Sequence, residues 1–213
     1  MFLTVARQAQ SLLEQNNPEV LTAVLEEFKP LKKYYADLMK NEGNNPFTEC
    51  ATWADDIKGK GYDFQSGWHF INTPYFDEED TSESDFPEWS MPDEDIVKCL
   101  DSLTKFLKGD MSTSEQASDN YVSKIADKFY YVEDQRSMAV RLIIHYIGDV
   151  HQPLHSTALV DSKYPKGDAG GNFEHIPDMD EAGQIHNLHA VWDSVFNTYT
   201  GYPKLVSKLT TIK

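Results

Sequence analysis

The stretch HYIGDVHQPLH, residues 145–155, carries three of the chain's seven histidines and one aspartate on a segment that is otherwise mostly apolar. Residues from about Arg136 to Asp149 have the spacing of a long buried helix, which Pro153 in the Gln-Pro pair is expected to break. His145 and Asp149 are four residues apart, so on a helix both side chains project from the same face. This stretch therefore predicts a helix that carries an imidazole and a carboxylate side by side.

The remaining regular structure is also predicted to be helical, because apolar residues recur at helical spacing along most of the chain. Pro18 stands where a second helix would begin, Pro30 where it would end or kink, and Gly109 where a later helix would stop. No segment alternates between apolar and polar residues for long enough to predict a strand. We expect an all-α fold with a single domain over residues 1–213. The further predicted helices cover about residues 4–15, 18–28, 31–39, 92–109 and 187–199.

The chain's net charge of −16 argues against long-range attraction of a polyanion such as nucleic acid. A nucleic-acid-binding function would need a strong local positive source, and bound metal ions are one such source. Residues 76–95 contain ten acidic and no basic side chains, which predicts a solvated loop. No apolar run approaches the roughly 20 residues of a membrane span, and the first residues lack the pattern of a signal peptide. Cys50 and Cys99 could form one disulfide, but their positions in the sequence do not decide it.

A second pair of titratable residues repeats the one-turn spacing on a different predicted helix. His189 and Asp193 form this pair, and two helices that each offer an imidazole and a carboxylate are typical of a metal site inside a helical bundle. Such ligands suit zinc. Each pair alone is also typical of a surface hydrogen bond, so the prediction depends on both pairs and on His155 beyond the helix break. Asp55 and His69, each close to a tryptophan, could be further ligands or polar neighbours of the core.

Five motifs, taken in order, resemble those of the zinc-dependent single-strand nucleases of the S1/P1 class, a family related to bacterial zinc phospholipase C. They are WAD, WHF, HYIGDVHQPLH, GDAGGN and NLHAVWD. The resemblance extends from about Val5 to Tyr199, which is nearly the whole chain. It implies a mostly helical domain that holds a cluster of three zinc ions in a cleft.

The resemblance also implies which residues bind the zinc ions. By resemblance, four residues hold the first zinc: Asp55, His69, His145 and Asp149. Three residues hold the second: His155, His189 and Asp193. The family's third zinc shares Asp149 and takes an amino-terminal Trp and a following His, which this sequence lacks before Phe2. We therefore expect two zinc ions from the residues present, and a chain that is truncated at both ends relative to the family.

By resemblance, the reaction is hydrolysis of single-stranded RNA and DNA to 5′-nucleotides, together with 3′-nucleotidase activity. Asp55 is expected to orient the attacking water or to act as its base. Lys58 stands where the family has an arginine, so it keeps the charge but loses the bidentate fork. Phe70 matches a position where a nucleobase stacks, which favours strands whose bases are unpaired. Asn72 and Asn172 are expected in the base-binding pocket, although some members have an aspartate at the first of these positions.

Two other functions are compatible with the same motifs. The first is a phospholipase C of the same fold. The residue pattern of the motifs HYIGDVHQPLH and NLHAVWD, together with Phe70, favours the nuclease. The second is a zinc-stabilised relative without catalytic activity, which Lys58 and the missing ligands of the third zinc favour. We expect a monomer that does not bind membranes. The resemblance implies a secreted, vacuolar or lysosomal location.

Overall fold

A computed structural model describes residues 2–40, 42–77, 82–176 and 187–193, and it is mainly helical, as the sequence predicts. The chain divides into two compact units. We call residues 2–68 and 94–148 the helical unit, and residues 69–93 together with those from 149 onward the strand unit. The α-helices of the described residues are α1 (Phe2–Asn16), α2 (Pro18–Tyr34), α3 (Pro46–Glu49), α4 (Trp53–Ile57), α5 (Ile96–Lys108), α6 (Thr113–Ser118), α7 (Val122–Ala126), α8 (Val132–Asp149), α9 (Pro153–Ser156) and α10 (Leu188–Asp193).

Shorter helical turns connect several of these helices. A π-helical turn at Lys58–Tyr62 follows α4 and contains Gly61 in the left-handed region at φ 87°. The 3₁₀ turns are Ala36–Met39, Cys50–Thr52, Asp63–His69 and Glu83–Asp85. The first helix and the helix that ends before Gly109 are confirmed. At Gly109 the backbone is left-handed, with φ 76°, and its N–H closes the end of α5.

Pro30 was predicted to end or kink α2, and of these two outcomes the end is wrong, because Pro30 lies inside the helix. A proline removes one backbone N–H from the helix, but the burial of Phe28 and Leu31 on either side of it keeps the turn packed. The helix therefore continues to Tyr34. The predicted third helix over residues 31–39 is wrong, because its first part belongs to α2 and its second part is a 3₁₀ turn.

The core of the helical unit is formed by aromatic and aliphatic side chains that the helical periodicity points inward. A buried arginine, Arg141 on α8, lies within this core and ion-pairs with Glu42. Its guanidinium also donates to the Phe28 carbonyl oxygen and covers the Phe28 ring, 4.2 Å from the ring centre. The fully buried side chains of this core include Leu31, Ile57, Trp68, Leu103, Ile125, Phe129, Met138, Leu142 and Tyr146.

The strand unit contains a pair of strands that the sequence does not predict. β1 (Thr73–Phe76) and β2 (Thr157–Val160) run parallel, with Thr73 opposite Thr157 and Phe76 opposite Val160. Each strand has only four residues, which is too short for an alternating pattern to stand out from its surroundings. The acidic run 76–95 is more than a solvated loop, because Phe86 and Trp89 within it are buried and pack with Phe76 and Val160.

The two cysteines are not joined in a disulfide. Cys50 and Cys99 are both buried thiols. Burial raises the pKa of each thiol well above its usual range. Within the described residues, none of the helices meets the length and apolarity that crossing a lipid bilayer requires.

Candidate metal centre

Helix α8 carries His145 and Asp149 one turn apart, as predicted, and both side chains are fully buried. In the helical unit, the His145 Nδ1 lies 2.6 Å from the carbonyl oxygen of Ala51, which can only accept a hydrogen bond. Nδ1 must therefore carry the ring proton, and in the neutral imidazole the lone pair is on Nε2. That Nε2 lies 3.7 Å from a carboxylate oxygen of Asp55 on α4. His145 is thus oriented with its ligand nitrogen toward a carboxylate.

Asp55 is the exposed member of this pair, with 49% of its side chain accessible. Its other carboxylate oxygen, Oδ1, accepts from Nζ of Lys58, three residues later, at 2.8 Å. Lys58 directly follows α4 with helical backbone, and side chains three residues apart on a helix lie on the same face, so its ammonium group reaches Asp55. One oxygen of Asp55 therefore faces an imidazole and the other faces a cation.

In the strand unit, His69 and Asp149 form a second close pair. Nδ1 of His69 lies 2.9 Å from Oδ2 of Asp149, and the two side chains are 1% and 0% exposed. The other oxygen of Asp149 lies 3.4 Å from Nδ1 of His155. Burying an ionised carboxylate away from water is costly unless cations or hydrogen-bond donors compensate it, so Asp149 is a strong candidate for binding a cation.

The predicted second zinc site is brought together within the strand unit. His155, His189 and Asp193 each offer a ligand atom, and these atoms lie within 4.8 Å of one another. The two imidazole rings are nearly parallel, with centres 4.9 Å apart, and Nε2 of His189 lies 3.4 Å from a carboxylate oxygen of Asp193. Both histidines are buried, whereas Asp193 is partly exposed. Three residues from α9 and α10 thus point their donor atoms at one small volume.

Both histidines of this group have the same proton position as His145. Nδ1 of His155 lies 2.9 Å from the carbonyl oxygen of His69, and Nδ1 of His189 lies 2.8 Å from that of Gly170. Each Nδ1 therefore donates its proton to the backbone, which puts the lone pair on Nε2. Gln152 orients the third member, because its Nε2 donates to Asp193 Oδ1 at 3.2 Å. The same Gln152 caps α9 by accepting from the N–H of Leu154.

The electrostatics of His155 favour the form that can bind a metal. Burial lowers the pKa of His155, because charging the ring away from water is costly, while the neighbouring Asp149 opposes this shift. A neutral imidazole is the state that coordinates a divalent cation. The donor set therefore fits zinc, which prefers imidazole nitrogen and carboxylate oxygen.

Of the three predicted substrate-binding residues, Phe70 lies beside this group within the strand unit. The half-buried ring of Phe70 lies 4.5 Å from that of His155, centre to centre. Asn72 has a left-handed backbone, with φ 53°, and lines a cavity of about 120 Å³ with Trp89 and Lys166. Asn172 does not line that cavity. Its side-chain amide donates to the carbonyl oxygen of Ala169, a residue that does line it, at 2.9 Å.

Comparison with known proteins identifies the family of this chain. Residues 3–210 match the family model described as S1/P1 Nuclease. The chain belongs to the S1/P1 nuclease family. The resemblance inferred from the five sequence motifs is therefore confirmed, and so is the mainly helical fold that it implies.

This S1/P1 family member is similar to two curated proteins over part of their length. It is 27% identical over 181 residues to Endonuclease 3 of Arabidopsis thaliana, an alignment that covers 81% of this chain and 52% of that protein. It is 26% identical over 164 residues to Nuclease S1 of Aspergillus oryzae, which covers 76% of this chain and 46% of that protein. The chain thus spans about half the length of these curated relatives. No solved structure matches the chain significantly.

Two residues that contact the candidate ligands of this S1/P1 family member, or the backbone that bonds them, were not predicted from the sequence. Gln152 stands inside the histidine motif, and its position just before a proline is typical of a helix cap. Asp168 precedes Ala-Gly-Gly, a composition that favours left-handed backbone and amide groups turned toward a carboxylate. Both signals are visible in the sequence, but neither indicates which ligand the residue would support.

Proposed function

We propose that this protein is a zinc-dependent nuclease that hydrolyses phosphodiester bonds in single-stranded RNA and DNA to 5′-nucleotides, with 3′-nucleotidase activity. The observation that carries the proposal is the convergence of His155, His189 and Asp193, whose ligand atoms lie within 4.8 Å of one another. Family membership supports the choice of a nuclease over other uses of such a group.

The proposal assigns the seven predicted ligands to two zinc ions. Asp55, His69, His145 and Asp149 are proposed for one ion, and His155, His189 and Asp193 for the other. When bound, zinc acts as a Lewis acid that activates water near neutral pH and neutralises phosphate charge. The protein's own contribution is to hold three imidazoles with the proton on Nδ1, so that Nε2 of each is ready to coordinate.

Asp55 is the proposed group that orients the attacking water and takes its proton. Its half-exposed carboxylate can be reached from solvent, unlike that of Asp149. The bond from Lys58 fixes one carboxylate oxygen, so the other is held in one direction. Lys58 can also exchange its carboxylate partner for a phosphate oxygen, because its ammonium is a flexible point charge rather than a rigid fork.

Phe70 is the proposed platform for an unpaired base. Its ring is half-buried and lies against His155, so it has little freedom to turn away from an arriving base. Stacking on an aromatic side chain is worth about 1–3 kcal/mol per base and does not depend on which base is present. A base paired within a duplex cannot stack in this way, which accounts for a preference for single strands.

For a nucleic acid to bind, positive charge at the site has to outweigh the repulsion from the chain's net charge of −16. Two bound zinc ions would add four positive charges where the acidic ligands concentrate, and they would reverse the repulsion that a phosphate meets there. We therefore expect the metal-free protein to bind single strands much more weakly than the zinc-loaded protein.

The test measures bound zinc and hydrolysis together. After dialysis, elemental analysis of the wild-type chain should give close to two zinc ions, and a single-stranded oligonucleotide should be cleaved faster than its duplex. His145→Ala should lose one zinc and abolish hydrolysis. His175→Ala is the matched control, since His175 is an exposed histidine outside the proposed ligands and should change neither value.

Other outcomes select among the alternatives. Two bound zinc ions without hydrolysis of any oligonucleotide would support the non-catalytic relative. The ion pair between Asp55 and Lys58 favours this alternative, because it engages both proposed catalytic side chains with each other. Cleavage of phosphatidylcholine instead of oligonucleotides would support a phospholipase. Hydrolysis that survives His145→Ala would exclude the proposed ligands of the first zinc.

We also propose a monomer that is secreted or held in the vacuole or lysosome. Light scattering during size-exclusion chromatography should give a mass close to the 24.3 kDa of one chain. Fractionation of the producing cells, with detection of the native protein by antibody, tests the location.

A further inference from the structure

The carboxylate of Asp168 is buried and receives three backbone N–H groups. Oδ1 accepts from Leu159 at 2.9 Å and from Gly170 at 3.0 Å, and Oδ2 accepts from Gly171 at 2.8 Å. Asp168 itself is 4% exposed. Three backbone N–H donors supply the hydrogen bonds that a carboxylate loses when it is buried away from water.

These three bonds stabilise a strained loop. Ala169, Gly170 and Gly171 are all left-handed, with φ values of 55°, 62° and 79°. Such backbone is unfavourable for alanine and persists only where the surroundings hold it. No side chain could replace the hydrogen at Gly170, because a Cβ there would lie 2.2 Å from the carbonyl oxygen of Leu154. The loop is therefore fixed by the carboxylate on one side and by close packing on the other.

The loop in turn holds His189 at two points. The carbonyl oxygen of Gly170 accepts from Nδ1 of the ring, at 2.8 Å. The carbonyl oxygen of Gly171 accepts from the backbone N–H of His189, at 3.3 Å. Two of the three residues whose N–H groups bind Asp168, Gly170 and Gly171, are thus also the two whose carbonyl groups bind His189. Each of these two residues connects the carboxylate to the histidine.

We propose that Asp168 is a positioning residue for zinc, acting through Gly170 and Gly171 to fix the proton and the orientation of His189. This inference rests on the proposed zinc-dependent function. Asp168 does not touch the ion itself, because both of its oxygens are already engaged with the loop. Removing such a supporting partner typically lowers metal affinity about 10–100-fold.

The test compares two aspartates that each accept backbone N–H groups in the strand unit. Asp168→Asn keeps the size of the side chain but turns an NH₂ group toward an N–H that needs an acceptor. Asp161→Asn is the control, because Asp161 accepts from the N–H groups of Lys163 and Tyr164 but its turn holds no proposed ligand. Zinc affinity is measured in both variants by competition with a coloured chelator, resolved into its two binding steps.

Asp168→Asn should weaken one of the two zinc steps at least 10-fold, while Asp161→Asn leaves both steps as in the wild type. Equal affinities in the two variants would overturn the inference. If Asp168→Asn does not fold, Asp168→Glu keeps the charge and both oxygens on a longer stem that no longer fits the amides. A wild-type zinc affinity in the folded glutamate variant would likewise overturn it.

A second measurement needs no metal and separates this inference from the proposed function. In the metal-free protein, ¹⁵N NMR of the imidazole should show the proton of His189 on Nδ1 in the wild type and in Asp161→Asn. In Asp168→Asn the population should move toward Nε2. A wild type that binds no zinc would refute the proposed function, while an unchanged proton position in Asp168→Asn would refute the role of Asp168.

Discussion

The proposed ligands of the helical unit and those of the strand unit are positioned by different means. His145 lies on α8, a helix of eighteen residues, and its ring is held by packing and by one bond to the Ala51 carbonyl. His155 and His189 lie on helices of four and six residues, which are too short to be stable alone. Their rings are held by bonds to the backbone of neighbouring segments. The first arrangement depends on the core, and the second depends on a few hydrogen bonds.

Because of this difference, we expect the two sets of proposed ligands to lose their geometry after different kinds of substitution. A change in the helical core should lower the free energy of unfolding before it alters the geometry around His145. A change in the loop at residues 167–171 should weaken zinc binding while most of the fold remains intact. The following four changes test this contrast, from the largest expected effect to the smallest.

Glu42→Ala should cause the largest loss of stability in the helical unit. Arg141 is fully buried and bonds both carboxylate oxygens of Glu42, so removing Glu42 leaves a buried guanidinium without its counter-charge. Breaking a buried pair in this way costs about 3–5 kcal/mol of unfolding free energy. Glu27→Ala is the control, because the Glu27–Arg136 pair is half-exposed and should cost no more than about 1 kcal/mol in urea unfolding. Equal losses in the two variants would contradict the role assigned to burial.

Gly170→Ala should weaken one zinc step by about 100-fold, the upper end of the range for losing a ligand's support. The added Cβ would meet the Leu154 carbonyl at 2.2 Å, so the loop must move and the bond to His189 is lost. Gly109→Ala separates this clash from backbone strain, because Gly109 is also left-handed but has no atom within 4 Å of its Cβ position. The control should lose about 1–2 kcal/mol of stability and no zinc affinity. A Gly170→Ala variant with wild-type zinc affinity would show that the loop does not hold the ligand.

Phe70→Ala should raise KM for single-stranded oligonucleotides about 10-fold and change kcat little, because stacking contributes about 1–3 kcal/mol per base. Steady-state kinetics on one oligonucleotide, with the zinc content checked, measures both constants. Tyr130→Ala removes an aromatic side chain that is 90% exposed and should leave both constants unchanged. If Phe70→Ala lowers kcat and kcat/KM equally, the ring takes part in the chemical step and not only in binding.

Tyr146→Phe should have the smallest effect, a loss of about 1 kcal/mol in the free energy of unfolding with zinc affinity retained. The Tyr146 hydroxyl donates to Gln65, which in turn bonds the carbonyl oxygen of Ala54 beside Asp55. If packing positions the ligands of the helical unit, one missing hydrogen bond should not disturb them. A tenfold loss of zinc affinity in this variant would mean that hydrogen bonds dominate in the helical unit as well.

The sequence predicted more of the helical unit than of the strand unit, for a physical reason. Helical periodicity extends over many residues, so α1, α5 and α8 could be recognised, and the one-turn spacing of His145 and Asp149 followed from it. The strands β1 and β2 each have four residues and depend on pairing with a distant partner, which local pattern cannot reveal. The end of α2 was misjudged because burial of Leu31 outweighed the tendency of Pro30 to stop a helix.

The candidate ligands were found from spacing and resemblance, but the groups that support them were not. Gln152 contacts Asp193 with its side-chain amide and is held by the N–H of Leu154, and Asp168 is proposed to act through Gly170. The sequence does not show which distant residue such hydrogen bonds will meet. The cavity beside Asn72 likewise depends on Trp89 and Lys166, which come from other parts of the strand unit. Such arrangements become visible only when the fold is known.

The two buried cysteines make these metal measurements simpler to carry out. Thiolate is the reactive form of cysteine, and burial keeps Cys50 and Cys99 as thiols, so neither should react with maleimide or oxidise in the folded protein. Zinc titrations can then be run without added thiol reductants, which themselves chelate zinc. A cysteine introduced at an exposed position such as Tyr130→Cys would be the single reactive thiol, so a label could be attached at one known place on the folded protein.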